Sequence, residues 1–319
     1  MRFGFVGTVE GSAVAFEALV AAGMPPSLLV TLPREAAARH SDYYDLARPA
    51  RELGIAVHEA RNVNSPETIA ALWAADLDLV LVLGWSQICH EEFRQVARHG
   101  SLGFHPAPLP RFRGRAVIPW TILRGETMTG STLFWLDEGV DSGAVMAQRT
   151  FAVAPNETAR SLYDKHLGQI REMVPETLRR IASGDHAGIA QDHSLASYCA
   201  KRTMEDGLID WSGEAGDILR LIRAVGDPYP GSFTHLSSKR LVIETARFYL
   251  DADRYIGMPG QVVAHTDDGF VVACGGKTAL EVTQWRGGSA DRPKLHVKFS
   301  SADWMESFPG LEDVANRRC

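Results

Sequence analysis

Apolar and polar positions follow two rhythms along the first half of the chain. Short, nearly unbroken apolar runs, FGFV (3–6), SLLVTL (27–32), IAVHEA (55–60) and LDLVLVLG (77–84), read as strands. The last is apolar almost throughout, as suits a parallel strand buried on both faces. Between them SAVAFEALVAAG (12–23), DYYDLARPARELG (42–54) and SPETIAALWAAD (65–76) carry apolar residues at helical spacing. Ser65 ahead of Pro66 and Glu67 marks a helix start, and Gly23 and Gly54 mark helix stops. This alternation predicts an α/β, Rossmann-like domain with a parallel sheet between helical layers.

STLFWLD (131–137) and AVMAQRTFAV (144–153) read as two further strands joined through a turn at Asp141, and residues 158–184 as a long amphipathic helix. The texture then changes. DILRLIRAV (217–225) is one helix, followed by short alternating runs such as RLVIETARF, GQVVAH, GFVVAC and ALEVTQW, the pattern of a small antiparallel β-barrel. The expected organisation is a first domain over 1–186, a loosely polar linker over 187–204 and the barrel over 205–319. The last twenty-five or so residues show no pattern, and 286–319 receive no role.

With 319 residues, two domains are the natural division. The composition, 45% hydrophobic and 23% charged, is that of a soluble globular chain, and a net charge of -6 speaks against life on nucleic acid. Cys89, Cys199, Cys274 and Cys319 are scattered, which reads as reduced thiols in a cytoplasmic protein and argues against a metal site. The N-terminus is too short an apolar run, and too little basic, for a signal peptide, and no window is long enough to span a membrane. Gly7 and Gly11 open the first loop without a GxGxxG spacing, so no dinucleotide site is expected.

The chemistry concentrates in GFHPAPLPRFRG (103–114). Pro106, Pro108 and Pro110 fix φ around His105 and remove three donors. A lone His is often a satisfied structural side chain. One held in a stiff loop past a buried strand of an α/β sheet is also where sites form. Arg111, Arg113 and Arg115 follow it, and each reads either as a solvated charge or as a partner for a carboxylate or phosphate. Asp141, in GVDSGAV, is a turn former that could instead orient the imidazole as a proton shuttle.

These residues carry a resemblance. GFHPAPLPRFRGRAVIPWTILRGETMTGSTLFWLDEGVDSGAVMAQ (103–148) resembles the catalytic region of the formyltetrahydrofolate-dependent formyltransferases, the methionyl-tRNA and amino-sugar N-formyltransferase type. His105, Leu109-Pro110, Arg113-Gly114, Gly125, Thr129-Gly130 and Asp141-Ser142-Gly143 carry the match. LIDWSGEAGDILRLIRAVGDPYPGSFT and GMPGQVVAH are similar to the family's OB-like C-terminal domain. The resemblance implies that 10-formyltetrahydrofolate is the one-carbon donor, that His105 handles proton transfer and that Asp141 orients it. It also implies folate-binding positions at Gly84, Trp85, Ile88, Arg113, Gly114, Ile118 and Asp137. VLGWSQI is similar to the pterin loop, and Trp85, Ile88 and Ile118 read either as pocket walls or as core.

One position departs. Gly103 stands where the family has an Asn that binds the formyl oxygen. Losing such a donor costs on the order of 10²–10³ in rate unless it is replaced. Since Gly leaves room, Gln87 or a water is the expected substitute, with an exposed polar loop residue as the plainer reading of Gln87. Three functions follow: formylation of a small primary amine, foremost a nucleotide-linked amino sugar; formylation of methionyl-tRNA; or a formyltetrahydrofolate hydrolase or folate-binding relic. Residues 201–300 hold thirteen basic and thirteen acidic residues, and PREAAARHSDYYDLA (33–47) sets Arg34, Arg39 and His40 against Glu35, Asp42 and Asp45. Neither is a tRNA footprint, which places the small amine first. The resemblance leaves the homodimer an open expectation.

Overall fold

The computed structural model describes residues 1–39, 42–236, 239–288 and 291–300. The chain divides into two compact units. One comprises Met1–Thr121, Glu126–Pro155 and Ser161–Lys201; the other comprises Ile122–Gly125, Asn156–Arg160 and Arg202–Cys319.

In the first unit, β1 (Phe3–Val6), β2 (Leu28–Thr31), β3 (Ala56–Glu59), β4 (Leu79–Val82), β5 (Ser101–His105), β7 (Met128–Trp135) and β8 (Val145–Ala152) form one sheet. Its order is β3-β2-β1-β4-β5-β7-β8. The first five strands are parallel; β7 and β8 continue the sheet antiparallel. Successive side chains of a strand point to opposite faces. Phe3, Phe5, Leu79 and Leu81 therefore pack with helices α1 (Glu10–Ala21) and α6 (Ala159–Ala182), while Val6, Val80 and Val82 pack with α3 (Pro66–Ala74) and α4 (Glu91–Arg94). Burial on both faces is why β1, β2 and β4 read as continuous apolar runs.

Local signals hold where they are strong. Ser65 Oγ caps α3 by accepting from Thr68 N at 3.3 Å, and Gly23 and Gly54 adopt φ of 72° and 73°. The helix expected over 42–54 is shorter: α2 is Ala47–Glu52. Tyr43 instead bridges Val9, with Tyr44 N donating to Thr8 O and Glu10 N to Asp42 O, so this stretch is tied to the loop before α1 rather than wound into the helix. Of the loop residues weighed for charge, the Arg39 side chain and His40 lie outside the described residues.

The expected linker 187–204 is mostly no linker. Ile189 exchanges two 2.8 Å backbone bonds with Val145, and β9 (Tyr198–Cys199) pairs in parallel with β6 (Arg113–Gly114). This segment closes over the His-Pro loop and belongs to the first unit as far as Lys201. Helix α5 (Val117–Leu123) follows that loop.

In the second unit, α7 (Ala215–Val225) buries Ala215, Ile218, Ile222 and Val225, a 3-4-3 stripe. It packs with an antiparallel sheet of β10 (Ser232–Leu236), β11 (Lys239–Phe248), β12 (Val262–His265), β13 (Phe270–Ala273) and β14 (Ala279–Gly287), ordered β10-β11-β14-β13-β12. That order leaves β10 and β12 as edges. Residues 296–300, patternless in the sequence, run between them: His235 and Ser300 exchange backbone bonds, Val262 N donates to Val297 O, and Phe299 N donates to Gly260 O. The Phe299 ring stacks on Trp211 at 5.7 Å and touches Phe270. An edge is thereby covered and a core filled by one short segment.

Truncating that plug should be expensive. Phe299→Ala is expected to destabilise the barrel by about 3–5 kcal/mol, read as a lower urea midpoint in tryptophan fluorescence; an unchanged midpoint would remove Phe299 from the core.

Candidate active site

His105 is the last residue of β5, directly opposite Thr132 of β7. The proline frame beyond it is held by two polar side chains. Thr132 Oγ1 donates to Ala107 O at 2.6 Å and accepts from Leu109 N, while Gln148 Nε2 donates to Leu109 O and to Thr132 Oγ1, both at 2.9 Å. The prolines restrict the loop, and these bonds fix where it lies.

The His105 side chain is almost wholly buried, 7% exposed. Its Nε2–H donates to Phe112 O at 2.7 Å, and since a carbonyl only accepts, the proton belongs on Nε2. Nδ1 then faces Asp141 Oδ2 at 3.5 Å. The same Oδ2 accepts from Gly114 N at 2.8 Å. Asp141 lies at φ 50°, the left-handed region, and Asp137 ties its turn together by accepting from Gly139 N and Ser142 Oγ. A side chain at Gly143 would strike the Trp135 carbonyl, so glycine is required there.

The structure thus brings His105, Asp141 and the Gly114 amide together, with Asp137 organising the turn. It assigns other residues differently from the sequence reading. Arg113 was expected at the folate, but it is 1% exposed and its guanidinium bonds Gln191 Oε1, Tyr198 OH and His193 Nδ1. It is a core cation. Arg111 pairs with Glu126 at 2.9 Å, and Arg115 is exposed. Gly84 (φ 71°) lies against Val9 and Ser12, Ile118 is buried and Ile88 is 63% exposed.

Gly103 is closely packed. An ideal Cβ there would lie 2.6 Å from Leu136 Cδ2 and 3.1 Å from the Phe134 ring, its cross-strand partner. A side chain there would have to displace these two apolar neighbours. Gln87 does not stand in for the family Asn: Nε2 donates to Arg61 O at 2.7 Å, while Oε1 accepts from Val63 N and Trp85 Nε1. Both ends of the amide are committed to the loop after β3.

Trp85, Ser86 and Gln87 line a cavity of about 120 Å³ with Thr8, Leu32, Ala36 and Arg61. It opens past the carboxyl ends of β1 to β4, where the strand order reverses and ligands of open α/β sheets bind. The amides entering α1 are internally bonded: Thr8 N and Val9 N to Ser12 Oγ, Glu10 N to Asp42 O and Gly11 N to Tyr163 OH. They are not open to a phosphate.

Sequence reasoning missed Thr132, Gln148, Ser197 and Gln191. Ser197 holds Phe112 by accepting its N–H at 2.9 Å, and Gln191 bridges Arg113 to the Asp141 turn. No periodicity or spacing marks them; their roles come from segments that meet only in the fold.

His166 on α6 is also buried beneath the sheet. Its Nδ1 bonds Ser131 Oγ at 2.8 Å, and burial, followed by the charge of His105, pushes its pKa down to about 3. The folded state therefore keeps His166 neutral while the unfolded chain protonates it below about 6.5. Stability from this group is present above that pH and lost between about pH 6.5 and 3, at up to about 1.4 kcal/mol per pH unit. His166→Gln should flatten the acid limb of a stability–pH curve measured by urea unfolding; an unaltered limb would mean that His166 titrates normally.

Restoring the family residue at position 103 should not help. Gly103→Asn is expected to overpack the site, costing about 1–3 kcal/mol. A Tm lowered by several degrees, without gain in turnover, is the expected result. An equally stable, faster variant would show that the space is available after all.

Comparison with known proteins shows the family of the chain. Residues 27–178 match the family described as formyl transferase, and residues 201–294 match the formyl transferase C-terminal domain. The chain is 35% identical over 239 residues, 75% of each chain, to methionyl-tRNA formyltransferase of Geobacter metallireducens. Among solved structures, HypX from Aquifex aeolicus in complex with tetrahydrofolic acid shares 21% identity at a TM-score of 0.66, covering 98% of this chain and 48% of its own. WlaRD, a sugar 3N-formyl transferase, shares 17% identity at 0.62, covering 89% of this chain and 97% of its own. The match of both domains and the relative together show that this chain is a member of the formyl transferase family of enzymes.

Proposed function

We propose that this chain transfers the formyl group of 10-formyltetrahydrofolate to the primary amine of methionyl-tRNA. The observation that carries the transfer chemistry is the His105–Asp141 pair. With Nε2–H given to Phe112 O, only Nδ1 has a lone pair to offer, and it faces a carboxylate 3.5 Å away. An attacking amine gives its proton to Nδ1, and the imidazolium so formed is stabilised by Asp141. The same proton then serves the departing folate nitrogen. The donor's flat heteroaromatic ring suits the Trp85–Ile88 loop beside the polar cavity at the strand ends. With the Asn donor replaced by Gly103, the imidazolium takes over the charge that develops on the formyl oxygen.

The acceptor rests on the relatives. Identity of 35% across three quarters of each chain supports methionyl-tRNA, which reverses the order drawn from charge alone. A nucleotide-linked amino sugar remains as second reading because residues 201–300 balance thirteen basic against thirteen acidic residues, a weak polyanion footprint.

Release of tetrahydrofolate from 10-formyltetrahydrofolate, followed with methionyl-tRNA, with a panel of nucleotide-linked amino sugars, and with neither, tests both. Release that depends on methionyl-tRNA is expected, and His105→Gln should lower it by about 10²–10⁴-fold. Release that needs a sugar would reassign the acceptor. Release without acceptor would make the chain a hydrolase, and folate binding without release a folate-binding relic.

A further inference from the structure

The carboxamide of Gln191 is 8% exposed and has all its bonding positions filled. Nε2 donates to Asp141 O at 2.9 Å and to Gly143 O at 2.7 Å, so it bridges the two sides of the catalytic turn. Oε1 accepts from Arg113 Nε at 3.2 Å and Nη2 at 2.7 Å. The orientation is unambiguous, because carbonyls can only accept and a guanidinium can only donate. Asp141 is not a glycine, yet it sits at φ 50°, a conformation that persists when its surroundings over-determine it.

We propose that Gln191 is a positioning residue: it holds the Asp141 turn in the left-handed conformation that aims the carboxylate at His105 Nδ1. Arg113, buried behind it, fixes the carboxamide in turn, so the path from the guanidinium to the imidazole runs through Gln191 and Asp141. In kinetic terms this rests on the formyl-transfer reading; in structural terms it does not.

Two variants separate the roles. Gln191→Glu keeps the acceptor for Arg113 but, ionised, cannot donate to the two carbonyls; Gln191→Met keeps the volume and loses both functions. Histidine ¹⁵N-labelled protein, with His105 assigned through His105→Gln, reports the imidazole directly. Both variants are expected to shift the His105 Nδ1 resonance toward that of Asp141→Ala, and thermal scans will show that each is folded. In turnover, kcat should fall by about 10–10²-fold, with KM for 10-formyltetrahydrofolate changed by less than about threefold. Within Asp141→Ala, adding Gln191→Glu should cost less than about threefold, because the two act as a unit. A His105 resonance that stays in place in a folded variant, or losses that multiply in the double variant, would overturn the proposal. If the wild-type chain releases no tetrahydrofolate with any acceptor, formyl transfer is refuted, and the resonance alone decides the role of Gln191.

Discussion

The hydrogen bond from His105 Nε2 to the Phe112 carbonyl is the constraint on which the site depends. It settles which ring nitrogen carries the proton and leaves the other, facing Asp141, as the basic one. It also couples the imidazole to a residue in an unusual conformation, since Phe112 lies at φ 61°. Phe112 is held by Ser197 Oγ, and the next residue's amide by Ser197 O. The tautomer of a strand-end histidine thus depends on a segment ninety-odd residues downstream.

That segment, 187–200, changes the meaning of Arg113. A guanidinium in an Arg-Phe-Arg-Gly loop invites an anion, but burial of a charge requires compensation on every side. Arg113 obtains it from uncharged acceptors: a carboxamide, a hydroxyl and an imidazole nitrogen. With those bonds made, it cannot reach out to a ligand. It works as the rigid post against which the loop, the strap and the Asp141 turn are assembled.

Gly103 shows the same logic in reverse. A missing side chain is not empty space, because interiors are close-packed and neighbours fill what is vacated. Phe134 and Leu136 pack against Gly103, and a larger residue there would have to displace them. On the proposed formyl-transfer reading, the buried, carboxylate-paired imidazole meets the formyl oxygen, in surroundings where its charge counts for more than it would in water.

What the sequence determined by itself is whatever depends on local periodicity and chain stiffness. The parallel strands β1, β2 and β4, the cap at Ser65, the stops at Gly23 and Gly54 and helix α7 follow from burial patterns and backbone preferences within a few residues. The His-Pro loop and the Asp141 turn were legible too, since proline frames and glycine-flanked acids are local signals, and the family resemblance joined them. The tertiary structure alone decided the rest. The tie of residues 42–44 to the loop before α1, the barrel closure by 296–300, the commitment of Gln87 to Arg61 and Val63, and the network of Thr132, Gln148, Gln191 and Ser197 all join positions far apart in the chain. A side-chain hydrogen bond between distant segments leaves no trace in the spacing of either, because its partner is set by where the folded backbone brings them.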